Sequence, residues 1–391
     1  MQTKSSDNTA VDQARPNRQL ITEAAEVAEI CKRITANGRV AIDTEFVWER
    51  TFYPNLGIVQ IALNEKEAWL LDMPVLTGKL APLAEVLADP RVEKIIHDAK
   101  QDLTILRIAT GAYPKNIFDT RLAAGFAGCP ATLSLLDCGL TFAGLSFDKG
   151  ETRSNWLKRP LSEKQLQYAL DDVLYLPLIR DEIMARAEKL NHAEWLKEEM
   201  LIYDHPDLYE DQDCRQVYTR VKGCGRLDRR ELAVLRELAA WRELEARSRN
   251  RPRRHIIADL PLVKMAQQQP DNTAALEENC GLPPHEYRRY GEKLLRVIQK
   301  GRQTPEAAYP ESLKSRRDDK LTQQIREILD LISETGRSHQ IDATLISSRK
   351  EVERFLSEKN RPAADTSPLF QGWRFKLVGE KILARPRTSE A

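Results

Sequence analysis

Long apolar runs are missing from this 391-residue sequence. Nowhere does it approach the ~18 successive apolar residues that a membrane-spanning helix needs, so no part is expected to be embedded in a bilayer. Its six cysteines, at positions 31, 129, 138, 214, 224 and 280, never fall at the two-residue gap of zinc ribbons and dithiol redox motifs. They read as reduced thiols. An excess of charge of one sign is lacking too. Sixty basic against 59 acidic side chains leave +1, which excludes a global pull on polyanions and confines any nucleic-acid affinity to local clusters. Residues 1–19 have no apolar stretch of the secretory kind and read as a disordered polar tail, so the cytoplasm is the expected compartment. What remains, 41% apolar and 30% charged residues, is the make-up of a soluble globular chain. At about 150 residues per domain, the length suggests two or three domains.

From Arg39 onward, short β-branched and apolar runs follow one another closely: Val40–Ile42, Ile58–Leu63 and Ala68–Leu71. They predict three strands with the brief connections of an antiparallel meander. Leu80–Leu87 reads as a helix, Lys94–His97 as a fourth strand, and the pattern is helical beyond it. This alternation predicts a mixed sheet with helices on its faces. Past about residue 205 strand-like segments almost vanish. Leu232, Leu235, Leu238 and Trp241 step along one helical face behind a capping pair, Asp228 with Glu231. Residues 301–317, with two prolines and little apolar content, read as a linker. A third segment follows, with an amphipathic helix over Leu321–Ile332, another opened by Ser348 and Glu351, and Trp373, Phe375 and Leu377 for a small core.

Asp43 and Glu45 close the first of these strands. Side chains alternate along a strand, so the two acids project to one face, about 7 Å apart along the chain. Two carboxylates sharing a face repel. Near a sheet centre they call for cations or water, which makes a divalent metal a reasonable partner; a solvated strand edge is the plain alternative. Asp98 and Gln101 resemble a helix cap with its reciprocal partner, placing Asp102 in the first turns of the helix that follows. An isolated acid there also suits the positive end of the helix dipole. Ser162 and Gln165 form another capping pair, ahead of an apolar stripe of Leu166, Ala169, Leu170 and Val173. Tyr168 and Asp172, four residues apart, stack on a different face, with Asp171 turned about 100° away.

Together these fragments, Asp43-Thr44-Glu45, Asp102 and Tyr168-x-x-x-Asp172, resemble the three motifs of the DEDDy subgroup of 3′-to-5′ exonucleases. Longer stretches, Asp43–Gln60 (DTEFVWERTFYPNLGIVQ) and Ser154–Leu176, resemble the ribonuclease D family, including Trp156, Arg159-Pro160-Leu161 and Tyr168-Ala169. Departures occur at Trp48, where arginine is usual, and at Phe52, where tyrosine is common. The region of Trp241-Arg242-Glu243, Ala246-Arg247, Pro252-Arg253 and Asp259 is similar to the HRDC module, and Gly372-Trp373-Arg374 with Gly379 looks like a second, divergent copy. The resemblance implies an RNase H-like (DnaQ-like) α/β exonuclease domain with a mixed sheet at 20–207. An HRDC domain at 208–300, the linker 301–317 and an HRDC-like domain at 318–385 complete the all-α remainder.

The same resemblance implies two divalent ions, Mg²⁺ or Mn²⁺, held by Asp43, Glu45, Asp102 and Asp172. Asp43 would bridge both ions, Glu45 and Asp172 would hold the nucleophile-side ion, and Asp102 would support the other, partly through water. Tyr168 would orient the attacking water, since a phenol with a reference pKa of about 10 is a poor base. Thr44, Phe46 and Gln60 are expected to hold the last nucleotides, with core packing an equal reading for Phe46. Residues 215–254 carry 13 Lys or Arg against 5 Asp or Glu, and Arg251, Arg253 and Arg254 fall in a stretch free of acids. They are expected to meet phosphates, although such a run also suits a solvated helix end. The expected activity is that of a monomeric 3′-to-5′ exoribonuclease that releases nucleoside 5′-monophosphates and matures tRNA 3′ ends, with no small-molecule cofactor. A DNA 3′ exonuclease of repair or proofreading type and a non-catalytic RNA-binding scaffold are the alternatives.

Overall fold

The computed structural model describes residues 19–384 apart from 146–149, 152–153, 212, 314–318 and 358–366. Residues 1–18 of the expected tail and 314–317 of the expected linker therefore lie outside the described residues. The chain divides into two compact units. The first gathers the described residues of Met1–Phe46, Leu56–Tyr209 and Asp318–Ala391; the second those of Val47–Asn55 and Glu210–Arg317.

Six strands form one sheet: β1 (Leu20–Ile21), β2 (Arg39–Val47), β3 (Asn55–Asn64), β4 (Glu67–Asp72), β5 (Glu93–Ile96) and β6 (Ile117–Asp119). Their spatial order is β1-β4-β3-β2-β5-β6. β3 and β4 run antiparallel, with Ile58 opposite Asp72 and Ala62 opposite Ala68. β5 lies parallel to both β2 and β6, and β1 parallel to β4. Burial explains why the central strands were legible. Val40, Ala41 and Ile42 of β2 and every residue from Ile58 to Leu63 of β3 are buried, the continuous pattern of strands covered on both faces. The edge strands β1 and β6 are two and three residues long, too short for any period to show.

Helix α1 (Ala24–Asn37) buries Val27, Ile30, Cys31 and Ile34 at helical spacing, and it ends at Gly38, whose φ of 74° lets its N–H return to the Ile34 carbonyl. Beyond it come α2 (Ala81–Ala88), α3 (Lys100–Thr110), α4 (Glu163–Leu174), α5 (Leu176–Lys189) and α6 (Ala193–Met200). α4 opens with the expected capping box of Ser162 and Gln165. α3 does not open as expected. Its N-cap is Ala99 with no side-chain cap, and Asp98, at φ 59°, pairs instead with Arg121.

The second unit is built on α7 (Arg229–Ser248), α8 (Asp259–Gln268), α9 (Thr273–Cys280) and α10 (Pro284–Arg302). Asp228 and Glu231 close the capping box read for α7. Leu235, Leu238, Leu262, Leu276, Leu294 and Ile298 make its core. Gly301 is needed where α10 meets α7, because a Cβ there would lie 2.6 Å from the Val234 Cα. The last segment returns to the first unit with α11 (Asp319–His339) and α12 (Arg349–Ser357), the latter begun by mutual hydrogen bonds of Ser348 and Glu351. All six cysteines are free. Among the described residues, no helix is long and apolar enough to cross a membrane.

Candidate active site

β2 delivers the first two acids. Asp43 and Glu45 leave the same side of the strand, and α4 brings Asp172 to them: one carboxylate oxygen from each of the three lies within 4.8 Å of the others. Asp102, on the first turn of α3, is only 8% exposed and joins them through Thr44, whose hydroxyl donates to its Oδ1. Tyr168, one turn before Asp172 on α4, hydrogen-bonds to that carboxylate. Asp43, Glu45 and Asp172 thus come together, with Tyr168 against Asp172 and Asp102 linked to β2 through Thr44.

The electrostatics follow from burial. Desolvation is the largest cause pushing Asp43 well above the carboxylate range, and repulsion from Asp102, Asp172 and Glu45 adds to it. Burial, then Asp172 and Asp102, push Glu45 up to about 9. Burial, then Asp171, raise Asp172 to about 8 against the lowering hydrogen bond from Tyr168. Burial raises Asp102 to about 6, opposed by the Thr44 hydroxyl. Among the described residues no lysine or arginine forms an ion pair with any of the four. Four hard oxygen donors, Asp102 buried and the other three partly so, with no basic ion-pair partner among the described residues and no Cys or His in the set, suit divalent ions of the Mg²⁺ or Mn²⁺ type. His97, read as the end of the fourth strand, pairs its Nδ1 with the Thr120 hydroxyl at 2.9 Å.

Two supports hold the acids in place. Behind α4, Arg159 grips Asp72 of β4 with Nε and Nη2 at 2.9 and 2.7 Å, and also donates to the Gly57 carbonyl at 3.1 Å. Gly57 has to be glycine, since a Cβ would lie 2.6 Å from the Trp156 carbonyl oxygen. Trp156, fully buried, lies 6.1 Å from the Tyr168 ring between centroids. Ahead of α3 the support is Asp119, which sequence reasoning missed. Its oxygens accept the N–H groups of Asp98 and Ala99, each at 3.0 Å, and of Arg121 at 2.9 Å. The Tyr203 hydroxyl adds a donor at 2.5 Å. Asp119 caps the short helix Thr120–Ala124, and an aspartate just ahead of a helical stretch was the signal available.

The remaining residues named from sequence are placed as follows. Thr44 is buried and Phe46 partly so. Gln60 is fully buried on β3, and neither polar atom of its amide has a hydrogen-bond partner among the described residues. Arg251, Arg253 and Arg254 belong to the second unit. There the arginine run is less bare than its composition suggests: Arg247 and Arg253 both pair with Glu243, and Arg249 pairs with Glu245. Arg251 and Arg254 are exposed, and neither forms an ion pair among the described residues.

Against known families, residues 18–188 match a 3′-5′ exonuclease domain, 231–298 an HRDC domain, and 320–382 the C-terminal HRDC domain of ribonuclease D. Ribonuclease D of Desulfotalea psychrophila is 37% identical over 363 residues, spanning 92% of this chain and 96% of the relative. The chain belongs to the ribonuclease D family of 3′-to-5′ exoribonucleases. Escherichia coli ribonuclease D is 30% identical, over 94% of this chain and 97% of its own. Its crystal structure, that of an exoribonuclease involved in structured RNA processing, superposes with a TM-score of 0.84 over 94% of this chain and 98% of that one. The mixed α/β exonuclease fold followed by two helical HRDC modules is the ribonuclease D architecture, as the motifs implied.

Proposed function

We propose that this chain shortens structured RNA from the 3′ end, transfer-RNA precursors in particular, and releases nucleoside 5′-monophosphates. The observation that carries the reading is the convergence of Asp43, Glu45 and Asp172 within 4.8 Å, with Asp102 tied in through Thr44. The involvement of the E. coli relative in structured RNA processing supports the substrate class.

Asp43, Glu45, Asp102 and Asp172 would hold two divalent ions. When bound, such ions acidify water and offset charge that builds on phosphate and leaving oxygen. The protein's own part is placement. Tyr168, held to Asp172, would orient the attacking water. Thr44 fixes Asp102, so its hydroxyl already has a partner before substrate arrives. Phe46 flanks Glu45 in sequence and is taken to meet the terminal nucleotide. Gln60 exposes no atom, so a direct contact with RNA requires its cover to move. Arg251, Arg253 and Arg254 are taken to bind phosphates, Arg253 while also paired with Glu243. We assign 20–207 to the exonuclease domain, 208–300 and 318–385 to the HRDC modules, and 301–317 to the linker.

The test is release of mononucleotides from matched RNA and DNA oligomers with 3′ tails, in Mg²⁺, Mn²⁺ or chelator. Asp43→Asn is expected to leave less than a few per cent of the wild-type rate, with the circular dichroism spectrum unchanged. A folded variant that keeps its rate overturns the reading. Faster hydrolysis of DNA than of RNA transfers it to DNA 3′ ends, and binding without hydrolysis in either metal leaves a scaffold.

A further inference from the structure

In the second unit, residues Val47–Asn55 form a strap that packs with the loop after α7. Between them opens a cavity of about 760 Å³, lined by Trp48, Arg50, Phe52, Arg254 and His255 among others. That is ample for a nucleotide, since small-ligand sites run from about 300 to 1,000 Å³.

The strap is anchored from within its own unit. Asn250 Oδ1 accepts the N–H groups of both Phe52 and Tyr53, each at 3.0 Å, and Thr51 Oγ1 donates to the Tyr53 carbonyl at 2.6 Å. The guanidinium of Arg253 lies 4.7 Å from the centre of the Phe52 ring while Glu243 holds its nitrogens. On this fixed base stands Trp48, 50% exposed. Its indole N–H donates to the Phe52 carbonyl at 2.8 Å, so the polar edge is satisfied while half of the side chain faces solvent. Arg50 and Arg254, both exposed, form no ion pair among the described residues, and Glu49 is the one acid lining the cavity.

A bare aromatic face beside two uncommitted guanidinium groups is the chemistry that single-stranded nucleic acid meets: every base offers a π face and every phosphate a charge. Its occupant is therefore taken to be RNA rather than an acidic peptide, which would leave the indole face without a counterpart. We propose that Trp48 is a stacking platform for a base of a single-stranded RNA, with Arg50 and Arg254 holding the adjoining phosphates. The inference rests on the chain acting on RNA and adds a subsite that the carboxylates do not provide. In the sequence, Trp48 follows Glu45 by three residues.

Binding of 5′-labelled oligouridylates of four and twelve nucleotides to the full chain, read by fluorescence anisotropy in chelator, tests this without hydrolysis. The wild type is expected to bind the longer oligomer more tightly. Trp48→Ala should weaken its binding about tenfold, the loss of one stacked base, and Trp48→Phe should restore most of it. Arg254→Gln should lower the slope of log affinity against log salt by about one. A Trp48→Ala protein with a wild-type circular dichroism spectrum and wild-type affinity for the twelve-mer overturns the proposal, as does a Trp48→Phe protein as weak as Trp48→Ala. Because hydrolysis is absent from the assay, a wild type that gains affinity with length yet cleaves nothing in Mg²⁺ or Mn²⁺ refutes the exonuclease reading and leaves the subsite standing.

Discussion

Among single residues, the four acids set the most restrictive condition, because they crowd together, at least partly buried, with no ion-pair partner among the described residues. Glu45 and Asp172 are pushed to about 9 and about 8, so the folded state holds protons that the unfolded chain releases near pH 4. A group with a raised folded pKa favours the fold below its unfolded pKa, and that contribution is lost as pH rises through the folded value. The metal-free protein should therefore lose stability steadily from about pH 4 to about pH 9. Mg²⁺ or Mn²⁺ should restore it, more strongly at the alkaline end, because bound cations favour the ionised carboxylates and binding releases protons. Melting temperatures across pH, in chelator and in each metal, check this; a chelated protein whose melting temperature rises over that range contradicts it. The acids were legible because strand alternation and helix periodicity are local rules. Asp119 was not, because its partners Asp98, Ala99 and Tyr203 lie at other points of the chain and leave no pattern around it.

Between elements, what matters is how a helix start is held when it lacks a cap of its own. α3 carries Asp102 on its first turn, yet its N-cap is Ala99 and the preceding Asp98 sits at φ 59°. The carboxylate of Asp119, at the end of β6, supplies the acceptors that this turn lacks and ties it to the neighbouring strand. Asp119→Ala would leave those N–H groups and the Tyr203 hydroxyl without an acceptor, at an expected loss of about 2–4 kcal/mol in urea unfolding. Freed from its clamp, α3 should also hold Asp102 less well, so the Mn²⁺ concentration that half-activates hydrolysis should rise several-fold. Tyr203→Phe, which removes one donor and leaves the clamp, should cost about 1 kcal/mol and leave metal activation alone. If Asp119→Ala loses stability with unchanged metal activation, the residue only braces the fold.

Over the whole molecule, chain order and spatial grouping part company. The last segment, read as a module of its own, belongs to the same compact unit as the exonuclease sheet. Trp373, 1% exposed, stacks on Trp195 at 5.6 Å and meets Phe126 edge-on at 5.3 Å. Arg374 forms a two-point pair with Glu199 at 2.6 and 2.7 Å, and Asp342 accepts the Ala131 N–H at 2.6 Å. Gly125 keeps the approach open, because a Cβ there would lie 2.5 Å from a Leu345 methyl. Trp373→Ala should cost about 3–5 kcal/mol through the cavity it leaves. Limited proteolysis should then separate the C-terminal segment from the exonuclease sheet, whereas the wild type should keep it; equal resistance in both would show that the aromatic stack does not hold it.

The sequence by itself determined the strand that carries Asp43 and Glu45, the capped helix of Tyr168 and Asp172 and the helical character of the second half, through short-range periodicity, and its motifs carried the resemblance to the family. Tertiary structure alone decided that the 47–55 strap joins the second unit and that the C-terminal segment joins the first. It also decided that Asp119 anchors α3 and that Glu243 and Glu245 take up three of the clustered arginines. The reason is physical: propensity and alternation act over a few residues, whereas burial, ion pairing and aromatic packing depend on which distant surfaces meet.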